Sequence, residues 1–383
     1  MKHIAKFLLI LIITNSYSCF SQKVVEKKIN SDSLKIYVNK IIAEYEIPGI
    51  QAALVSGDKI LNVVAEGVKK IDGDSISVNS KMHLGSCGKA MTGYLAGILV
   101  QKKLLNWNTN IKDVFPEFKS EINQEFMDLT LKSLLSHQSK IPQFITGEDW
   151  KLLDRFVEKD PKARRYAFAK WILKKEAVPF DSTETNAGFR YSNAGYSIAA
   201  AMMEKVTNNS WEQLMKDEVF EPLGIDAIFG WPARTDKSEP FGHIINEKNQ
   251  TLIPHNPNDE YKIDPILSPS GNISMSVLDY IKFIQKNLNG LNGFDNEYPK
   301  DFFEFLHYTN RPESEYSIGW YSVEQFDDNL SSHTGSADTF YCLNFLLRKH
   351  NIAVIVIANS ATEQTKNGAE KIRNYLIRPY LKD

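Results

Sequence analysis

Apolar and polar residues follow different periods at the two ends of the chain and in its middle. Residues 33–46 carry apolar side chains at close to every 3.6 positions, which predicts an amphipathic helix that Pro48 brings to an end. Two runs rich in β-branched residues follow, at 50–55 and 60–65. The turn between them, Ser-Gly-Asp-Lys, predicts that the two runs form a β-hairpin.

The middle of the chain, from about residue 106 to residue 275, shows mostly helical periodicity interrupted by Pro, Gly and Asn. The last quarter returns to the pattern of β-strands and ends in a helical segment. Beyond the first hairpin, helices are predicted at 85–105, 164–176, 195–207, 210–219, 276–288 and 362–379, and strands at 316–323, 339–347 and 352–358.

Strands at both ends of a helical middle predict an α+β fold. In such a fold the two chain ends build one antiparallel sheet, helices flank it, and a mostly helical domain is inserted between its strands. We predict a sheet region over about 33–85 and 290–383, and a helical region over about 86–289. The active site is expected where the sheet meets the inserted helices.

Composition narrows the class of partner. The 383 residues are 43% hydrophobic and 24% charged, and their formal net charge is −2. These values are ordinary for a globular protein, and the chain has no block of lysine and arginine that would attract phosphates. We therefore expect no nucleic-acid partner.

The start of the chain follows another pattern. Basic residues precede an uninterrupted apolar run at 7–13, and small polar residues come directly after it. The run is far shorter than the roughly 20 residues that span a bilayer. This pattern is typical of a signal peptide over 1–21, removed on export to the periplasm or the extracellular space, and a buried first helix is the alternative. Cys19 keeps a further alternative open, in which the exported protein is a lipoprotein with its lipid anchor on that residue.

The first of three elements that carry chemistry is Ser86 with Lys89. A spacing of three residues at the start of a helix puts both side chains on one face. A serine hydroxyl is a weak nucleophile until a base takes its proton, and a lysine becomes that base when its pKa is lowered. The first helical turn also offers unpaired backbone N–H groups to the reacting centre. Ser56 and Lys59 have the same spacing but fall on the hairpin turn, where we assign them no role.

The second element is Tyr191 with Asn193, in a loop before a predicted helix. A tyrosine whose proton is drawn off by neighbouring cations can carry protons between nucleophile and leaving group. An asparagine two residues later can hydrogen-bond both an amide substrate and the lysine. The same Tyr-x-Asn pattern occurs at 37–39 and 308–310, in a predicted helix and before a proline, so we favour Tyr191.

The third element is His333-Thr334-Gly335, which precedes a β-rich run and is expected to begin or line an edge strand. Gly335 allows another backbone or a substrate to approach closely. The backbone N–H of Ser336 can then donate to an oxyanion. We therefore expect His333, Thr334, Gly335 and Ser336 to contribute to substrate binding, and an ordinary turn is the alternative interpretation.

Longer motifs accompany the three elements, in a fixed order over about residues 35–360. They are Ile47-Pro48-Gly49, His83-Leu84-Gly85-Ser86, Leu134-Leu135-Ser136-His137, Phe189-Arg190-Tyr191-Ser192-Asn193-Ala194-Gly195-Tyr196, Phe220-Glu221-Pro222-Leu223-Gly224 and Ile318-Gly319-Trp320. Together they resemble the family of class C β-lactamases, D-alanyl-D-alanine carboxypeptidases and related esterases.

The resemblance implies a serine hydrolase domain over 22–383 that works through an acyl-enzyme, with no cofactor and no metal. It implies Ser86 as the nucleophile, and Lys89 and Tyr191 as the groups that move protons. It also implies that Asn193 and His333 orient the substrate, while the N–H groups of the nucleophile and of the residue after Gly335 hold the oxyanion.

Three departures from the family pattern bear on the activity. Gly88 stands where a threonine usually precedes the lysine, and Lys140 ends a segment that usually reads Ser-His-Thr-Ser-Gly. His333 stands where β-lactamases carry lysine, whereas carboxypeptidase-like and esterase-like members often have histidine. We therefore expect hydrolysis of D-amino-acid peptides, including peptides derived from peptidoglycan, or of small esters. A β-lactamase and a penicillin-binding protein without turnover are the two alternatives.

Overall fold

The computed structural model describes residues 29–180, 188–258, 263–295, 297–310, 314–326 and 328–381. Its α-helices are α1 (Ser31–Tyr45), α2 (Gly88–Gln101), α3 (Ile111–Val114), α4 (Leu131–Leu135), α5 (Gly147–Lys151), α6 (Pro161–Ile172), α7 (Asn193–Thr207), α8 (Trp211–Met215), α9 (Glu221–Leu223), α10 (Pro232–Thr235), α11 (Val277–Leu291), α12 (Lys300–Tyr308) and α13 (Glu363–Ile377). Its strands are β1 (Gly49–Ser56), β2 (Ile60–Gly67), β3 (Met82–His83), β4 (Ala227–Phe229), β5 (His243–Ile245), β6 (Leu252–Pro254), β7 (Ile273–Met275), β8 (Tyr321–Gln325), β9 (Asp328–Ser336), β10 (Tyr341–Leu347) and β11 (Ile352–Ala358).

The main sheet has six antiparallel strands in the order β2-β1-β11-β10-β9-β8. β1 and β2 come from the start of the chain and the other four strands from its end. They join where β1 pairs with β11, in a register that runs from Ile50 opposite Ala358 to Ser56 opposite Ile352. The α+β fold predicted from the sequence, with a sheet built from both chain ends, is confirmed.

The central strands are buried on both faces because helices cover each side of the sheet. In β11, Ala353, Ile355 and Ile357 belong to a large apolar core, and Val354 and Val356 belong to a smaller one. This alternation follows from the two-residue period of a strand. Residues of α1 and α13 complete the smaller core, and residues of α2 and α11 complete the larger one.

Helix α2 lies at the centre of the molecule. Its residues are buried from Gly88 to Leu99, whereas the sequence pattern predicts a single apolar face. It contacts α12 on one side, and α7 and α8 among the inserted helices on the other. The 3₁₀ turn that precedes it, Gly85–Cys87, contacts β9 and β10 of the main sheet. The start of α2 is therefore the place where sheet and inserted helices meet.

A buried arginine joins the inserted helices. Arg165 on α6 has no exposed side-chain surface, and it donates hydrogen bonds to Glu204 on α7 and Glu212 on α8, both at 2.6 Å. A third bond, of 2.8 Å, goes to the carbonyl oxygen of Pro265. The charge is thus compensated inside the protein, as a buried ion requires. The bond to Pro265 also holds the 3₁₀ segment Pro265–Ser270 that borders the site described below.

The structure adds detail to one sequence prediction and corrects another. The mostly helical middle also contains short strands: β7 and β4 form one small sheet with β3, which precedes Ser86, and β5 pairs with β6. Strands of two or three residues are too short to show an alternating pattern. The predicted strand at 316–323 begins only at Tyr321, because Gly319 has a φ of +81° and a Cβ there would lie 2.6 Å from the Cα of Ala90. At Gly319 the chain turns and packs against α2 instead of continuing as an extended strand.

Strand β9 was missing from the predicted elements, although it carries the His333 motif. Its sequence is polar, and Ser331 and His333 are buried within it. The motif ends the strand instead of beginning it. Since β8 pairs only up to Ser332, residues 333–336 of β9 have a main-sheet partner strand, β10, on one side only. Residues 333–336 of β9 therefore lie at an edge of the main sheet, as predicted from the sequence.

The predicted signal peptide at 1–21 and Cys19 lie outside the described residues. Within the part of the chain that the structure describes, no helix is both long and apolar enough to cross a membrane. The predicted limits of the sheet region and of the helical region, at about 85 and 290, stay predictions.

Candidate active site

Ser86 occupies a tight turn between β3 and α2. The turn continues directly into the helix, so Ser86 stands at the helix N-terminal end. Gly85 has a φ of +52°, and Gly271 of the neighbouring segment has a φ of +147°. A Cβ on Gly271 would lie 2.3 Å from the carbonyl oxygen of Gly85. Glycine is required at both positions, because the backbones approach too closely for a side chain.

Strand β9 packs directly against this turn. A Cβ on Gly335 would lie 2.0 Å from the carbonyl oxygen of Leu84 and 2.8 Å from the amide nitrogen of Ser86. A Cβ on Gly85 would lie 2.6 Å from the amide nitrogen of Ser336. The two amides predicted to hold an oxyanion therefore lie at one contact between turn and strand, as such a site requires.

The side-chain nitrogen of Lys89 contacts three polar atoms. Its Nζ lies 3.1 Å from Oγ of Ser86, 2.8 Å from Oδ1 of Asn193 and 2.7 Å from the carbonyl oxygen of Ser270. The structure thus brings together three of the residues predicted for the site. Ser270 was missed, because its carbonyl is 181 residues from Lys89 in the chain and carries no side-chain signature. The Pro-Ser-Gly turn at 269–271 was the only sign of a special backbone there.

Lys89 has no exposed surface. Burial lowers its pKa well below the ordinary value of 10.5, because a charged amine is costly away from water. The two oxygens of Asn193 and Ser270 can only accept hydrogen bonds, so they take the two N–H groups of a neutral amine. In the neutral form of the amine, the remaining lone pair can face the hydroxyl of Ser86. This arrangement suits a general base that removes the serine proton.

Tyr191 lines the same cleft as Ser86. Its ring centroid lies 4.7 Å from Nζ of Lys89. Burial raises its pKa well above 10.0, and the neighbouring side chain of Ser86 offsets only part of that rise. The phenol therefore stays protonated at neutral pH. It is suited to donate a proton to a leaving group, and Lys89 is the better base of the two.

A loop over 137–144 positions Tyr191 and Asn193. His137 is fully buried, accepts a hydrogen bond of 3.1 Å from the backbone N–H of Ser192, and has its ring 4.3 Å from that of Tyr191. The carbonyl of Phe144 accepts a 3.0 Å bond from Nδ2 of Asn193. That bond orients the side-chain amide so that Oδ1 of Asn193 faces Lys89. His137 thus holds the loop through its contacts with Ser192 and Tyr191.

His333 lies behind the cleft instead of lining it. Its ring is 2% exposed, with Nε2 3.2 Å from the hydroxyl of Tyr316 and Nδ1 2.6 Å from the carbonyl oxygen of Thr334. Both ring nitrogens are therefore occupied by the protein. Thr334 is exposed and is not among the residues that line the cleft. The roles of Ser86, Lys89, Tyr191, Asn193, His333, Thr334, Gly335 and Ser336 stay predictions.

A cleft of about 200 Å³ opens above Ser86. Its walls are about equally polar and apolar, and the apolar part includes the side chains of Ile145, Trp150, Ile263 and Leu267. Asp338, two residues after Ser336, adds a carboxylate to the lining of the same cleft. Sequence reasoning missed Asp338, since an isolated acidic residue near a glycine motif has no distinctive pattern.

Comparison with known proteins identifies the family of this chain. The sequence profile of the Beta-lactamase family matches residues 34–377. Protein flp of Staphylococcus aureus (strain MW2) is 24% identical over 336 residues, which cover 86% of this chain and 63% of that protein. Penicillin-binding protein 4 of Amycolatopsis lactamdurans is 25% identical over 252 residues, covering 64% of this chain and 61% of that one. The chain thus spans less than two thirds of the length of these relatives.

Solved structures show the same fold. The octameric penicillin-binding protein homologue from Pyrococcus abyssi superposes with a TM-score of 0.73 at 22% identity, over 91% of this chain and 78% of that one. The crystal structure of SurE superposes with a TM-score of 0.70 at 18% identity, over 92% of this chain and 76% of that one. With the profile covering nearly the whole described chain, the protein belongs to the Beta-lactamase family, within the superfamily of serine hydrolases that share this fold.

Proposed function

We propose that this protein hydrolyses amides or esters through an acyl-enzyme on Ser86. The observation that carries the proposal is the position of a buried Lys89 with its Nζ 3.1 Å from Oγ of Ser86. Lys89 takes the proton of Ser86 as the serine oxygen attacks the substrate carbonyl carbon. The amides of Ser86 and Ser336 donate hydrogen bonds to the oxyanion that forms.

Tyr191 then donates its proton to the leaving amine or alcohol as the bond to the carbonyl carbon breaks. The protonated Lys89 returns a proton to Tyr191, so the base is free again. Water attacks the acyl-enzyme, gives its proton to Lys89, and the acid product leaves as the proton is returned to Ser86. Asn193 holds Lys89 in place and lies in the cleft lining, where its amide can contact a substrate amide.

We propose that the scissile bond belongs to a group that is neutral close to the reacting carbonyl. Among the described residues that line the cleft above Ser86, none is lysine or arginine, whereas Asp338 contributes a carboxylate. The buried His333 has both nitrogens engaged. A carboxylate next to the scissile bond, as β-lactams carry, would meet no cationic side chain among the described lining residues. Peptide and ester substrates are therefore favoured over β-lactams.

The proposed location is outside the cytoplasm, which would give access to peptides released from peptidoglycan. The support is the basic and apolar pattern of the first 21 residues, with Cys19 as the alternative lipid anchor. Mass spectrometry of the protein from its native host tests this. A start after residue 18 with acyl mass indicates the anchor, a start near residue 22 indicates simple cleavage, and an intact Met1 contradicts export.

Labelling with a neutral fluorophosphonate tests the proposed chemistry. Ser86→Ala should abolish the added mass, while the Tm stays close to that of the parent. Ser56→Ala is the matched control, because Ser56 has the same spacing to a lysine but lies on the β1–β2 turn. Labelling of the Ser86→Ala protein at an unchanged rate would refute the proposal. Rapid turnover of a chromogenic cephalosporin would instead favour the β-lactamase alternative.

A further inference from the structure

The proton that Ser86 loses creates a positive charge inside the protein. In the proposed reaction it moves from Oγ of Ser86 to Nζ of Lys89, so the amine becomes an ammonium group. Lys89 has no exposed surface, and no aspartate or glutamate of the described chain is among the groups that raise its pKa. The side chain of Cys87 raises that pKa, but burial outweighs it. A buried cation is costly unless nearby groups compensate its charge, so the Lys89 ammonium needs further stabilisation.

Two oxygens and two aromatic rings surround the nitrogen of Lys89. Oδ1 of Asn193 and the carbonyl oxygen of Ser270 accept its hydrogen bonds, at 2.8 and 2.7 Å. Nζ also lies 4.7 Å from the ring centroid of Tyr191 and 5.4 Å from that of Tyr196. Both distances are within the roughly 6 Å at which the negative face of an aromatic ring attracts a cation. Tyr191 is proposed to carry protons, so Tyr196 is the ring whose effect on charge can be tested separately.

Tyr196 is held in this position by its helix and by its hydroxyl. It follows Asn193 by three residues on α7, which places both side chains on one face of that helix. The residue has no exposed surface, and its hydroxyl donates a 2.7 Å hydrogen bond to the carbonyl oxygen of Leu135. The hydroxyl is therefore used within the protein, and the ring is the part of Tyr196 that meets Lys89.

We propose that Tyr196 is a positioning residue for the base, whose ring stabilises the ammonium form of Lys89 that exists after Ser86 has lost its proton. This rests on the proposed function and deepens it. The ring acts against the effect of burial, so that Lys89 remains basic enough to accept the proton. Asp338 adds an exposed carboxylate to the cleft lining. The other titratable groups packed around the site are Cys87, His137, Tyr191, Tyr316, Tyr321 and His333.

Phenylalanine analogues with an increasing number of ring fluorines, placed at position 196, test this inference. Fluorine weakens the negative face of the ring and nearly keeps its shape, while Cys87 and the other neighbours stay the same. The readout is the pH at which labelling of Ser86 by the neutral fluorophosphonate reaches half its maximal rate. In that reaction Oγ forms a bond to phosphorus, fluoride leaves with the bonding electrons, and the hydroxyl proton goes to Lys89.

Tyr196→Phe keeps the ring face, so its half-maximal pH should equal that of the parent protein. The half-maximal pH should then fall stepwise with fluorination, by up to about one pH unit. Tyr196→Leu removes the ring and should lower it by a similar amount. If Tyr196 served only to exclude water, the leucine variant would admit water and the half-maximal pH would rise toward 10.5.

Tyr94→Leu is the matched control. Tyr94 is also a buried tyrosine and lies on α2, but its ring packs edge-on against Phe283, at 5.7 Å between ring centroids. Its replacement should leave the half-maximal pH unchanged. A half-maximal pH that is equal across the fluorinated series, or that rises in Tyr196→Leu, overturns this inference alone. Labelling that is independent of pH in the parent protein, or that Lys89→Arg retains at the parental rate, overturns the proposed base and this inference with it.

Discussion

Burial changes the acid–base properties of the Lys89 side chain. It contacts two fixed acceptors and one hydroxyl, and it has no exposed surface. The acceptors on Asn193 and Ser270 orient the nitrogen, and the lack of water lowers its pKa. At the same scale, burial acts in the opposite direction on Tyr191, whose neutral form is the protonated one. One environment therefore suits Lys89 to act as a base and Tyr191 to act as an acid.

The first prediction concerns the pH dependence of labelling at Ser86. Only the neutral amine of Lys89 can accept the serine proton, so the labelling rate should rise as pH increases through a pKa well below 10.5. In the Lys89→Arg variant the side chain stays charged at every pH used. The labelling rate of this variant should therefore be lower by on the order of 10²-fold or more, and it should no longer depend on pH. Lys59→Arg, at the equivalent spacing from Ser56, is the control. A rate that is independent of pH in the parent protein contradicts the assignment of the base.

The second prediction concerns backbone strain at Lys140. This residue has a φ of +53°, in the left-handed region that costs a residue with a Cβ roughly 1–2 kcal/mol. Lys140→Gly and Lys140→Ala both remove the exposed ion pair with Glu125. The glycine variant should nevertheless have a free energy of unfolding about 1 kcal/mol higher than the alanine variant. Urea unfolding measures the difference, and equal stabilities would show that the loop relaxes without glycine.

At the scale of elements, the site depends on a contact between a strand and a turn. β9 reaches the Ser86 turn only because Gly335 and Gly85 lack side chains. The segment Pro265–Ser270, held by the buried Arg165, brings the carbonyl of Ser270 to Lys89. Sheet, inserted helices and this 3₁₀ segment therefore each supply one part of the site.

The third prediction follows from the contact at Gly335. A Cβ there would lie 2.0 Å from the carbonyl oxygen of Leu84, so Gly335→Ala must move β9 away from the turn. Separation of the Ser86 and Ser336 amides should reduce fluorophosphonate labelling by about 10²-fold or more. Gly147→Ala is the control, because nothing lies within 4 Å of the added methyl group. Near-UV circular dichroism checks that the variant is folded, and labelling at the parental rate by a folded protein contradicts the prediction.

At the scale of the whole molecule, several buried histidines couple the fold to pH. Burial lowers the pKa of His83 and of His243 to about 4, and lowers those of His137 and His307 well below 6.5. These rings are neutral in the folded protein because charging them away from water is costly. Burial acts oppositely on Glu204 and Asp328, whose pKa values it raises.

The fourth prediction is a loss of stability in mild acid. Below pH 6.5 the unfolded chain binds protons at these histidines, whereas the folded chain does not until about pH 4. The stability they contribute is therefore present above pH 6.5 and falls toward pH 4, by about 1.4 kcal/mol per pH unit for each ring. The raised pKa values of the two carboxyl groups offset part of this loss of stability. Urea unfolding at a series of pH values measures the slope, which His243→Gln should reduce. A flat profile would contradict the prediction.

The sequence by itself determined the elements that local periodicity encodes. The hairpin, the long helices and the apolar C-terminal strands repeat apolar residues at the spacing of one strand or one helix turn, and the fold class follows from their order. The closeness of Ser86 and Lys89 was also predictable, because three residues separate them on one helical turn.

Tertiary structure alone decided how distant segments meet. The bonds from Lys89 to Asn193 and Ser270 cross 104 and 181 residues, and no local pattern encodes such distances. His333 was assigned to the substrate from its motif, yet packing against Tyr316 turns its ring into the protein. Burial, close backbone approach and charge compensation set these contacts, and each of them depends on what lies across the fold.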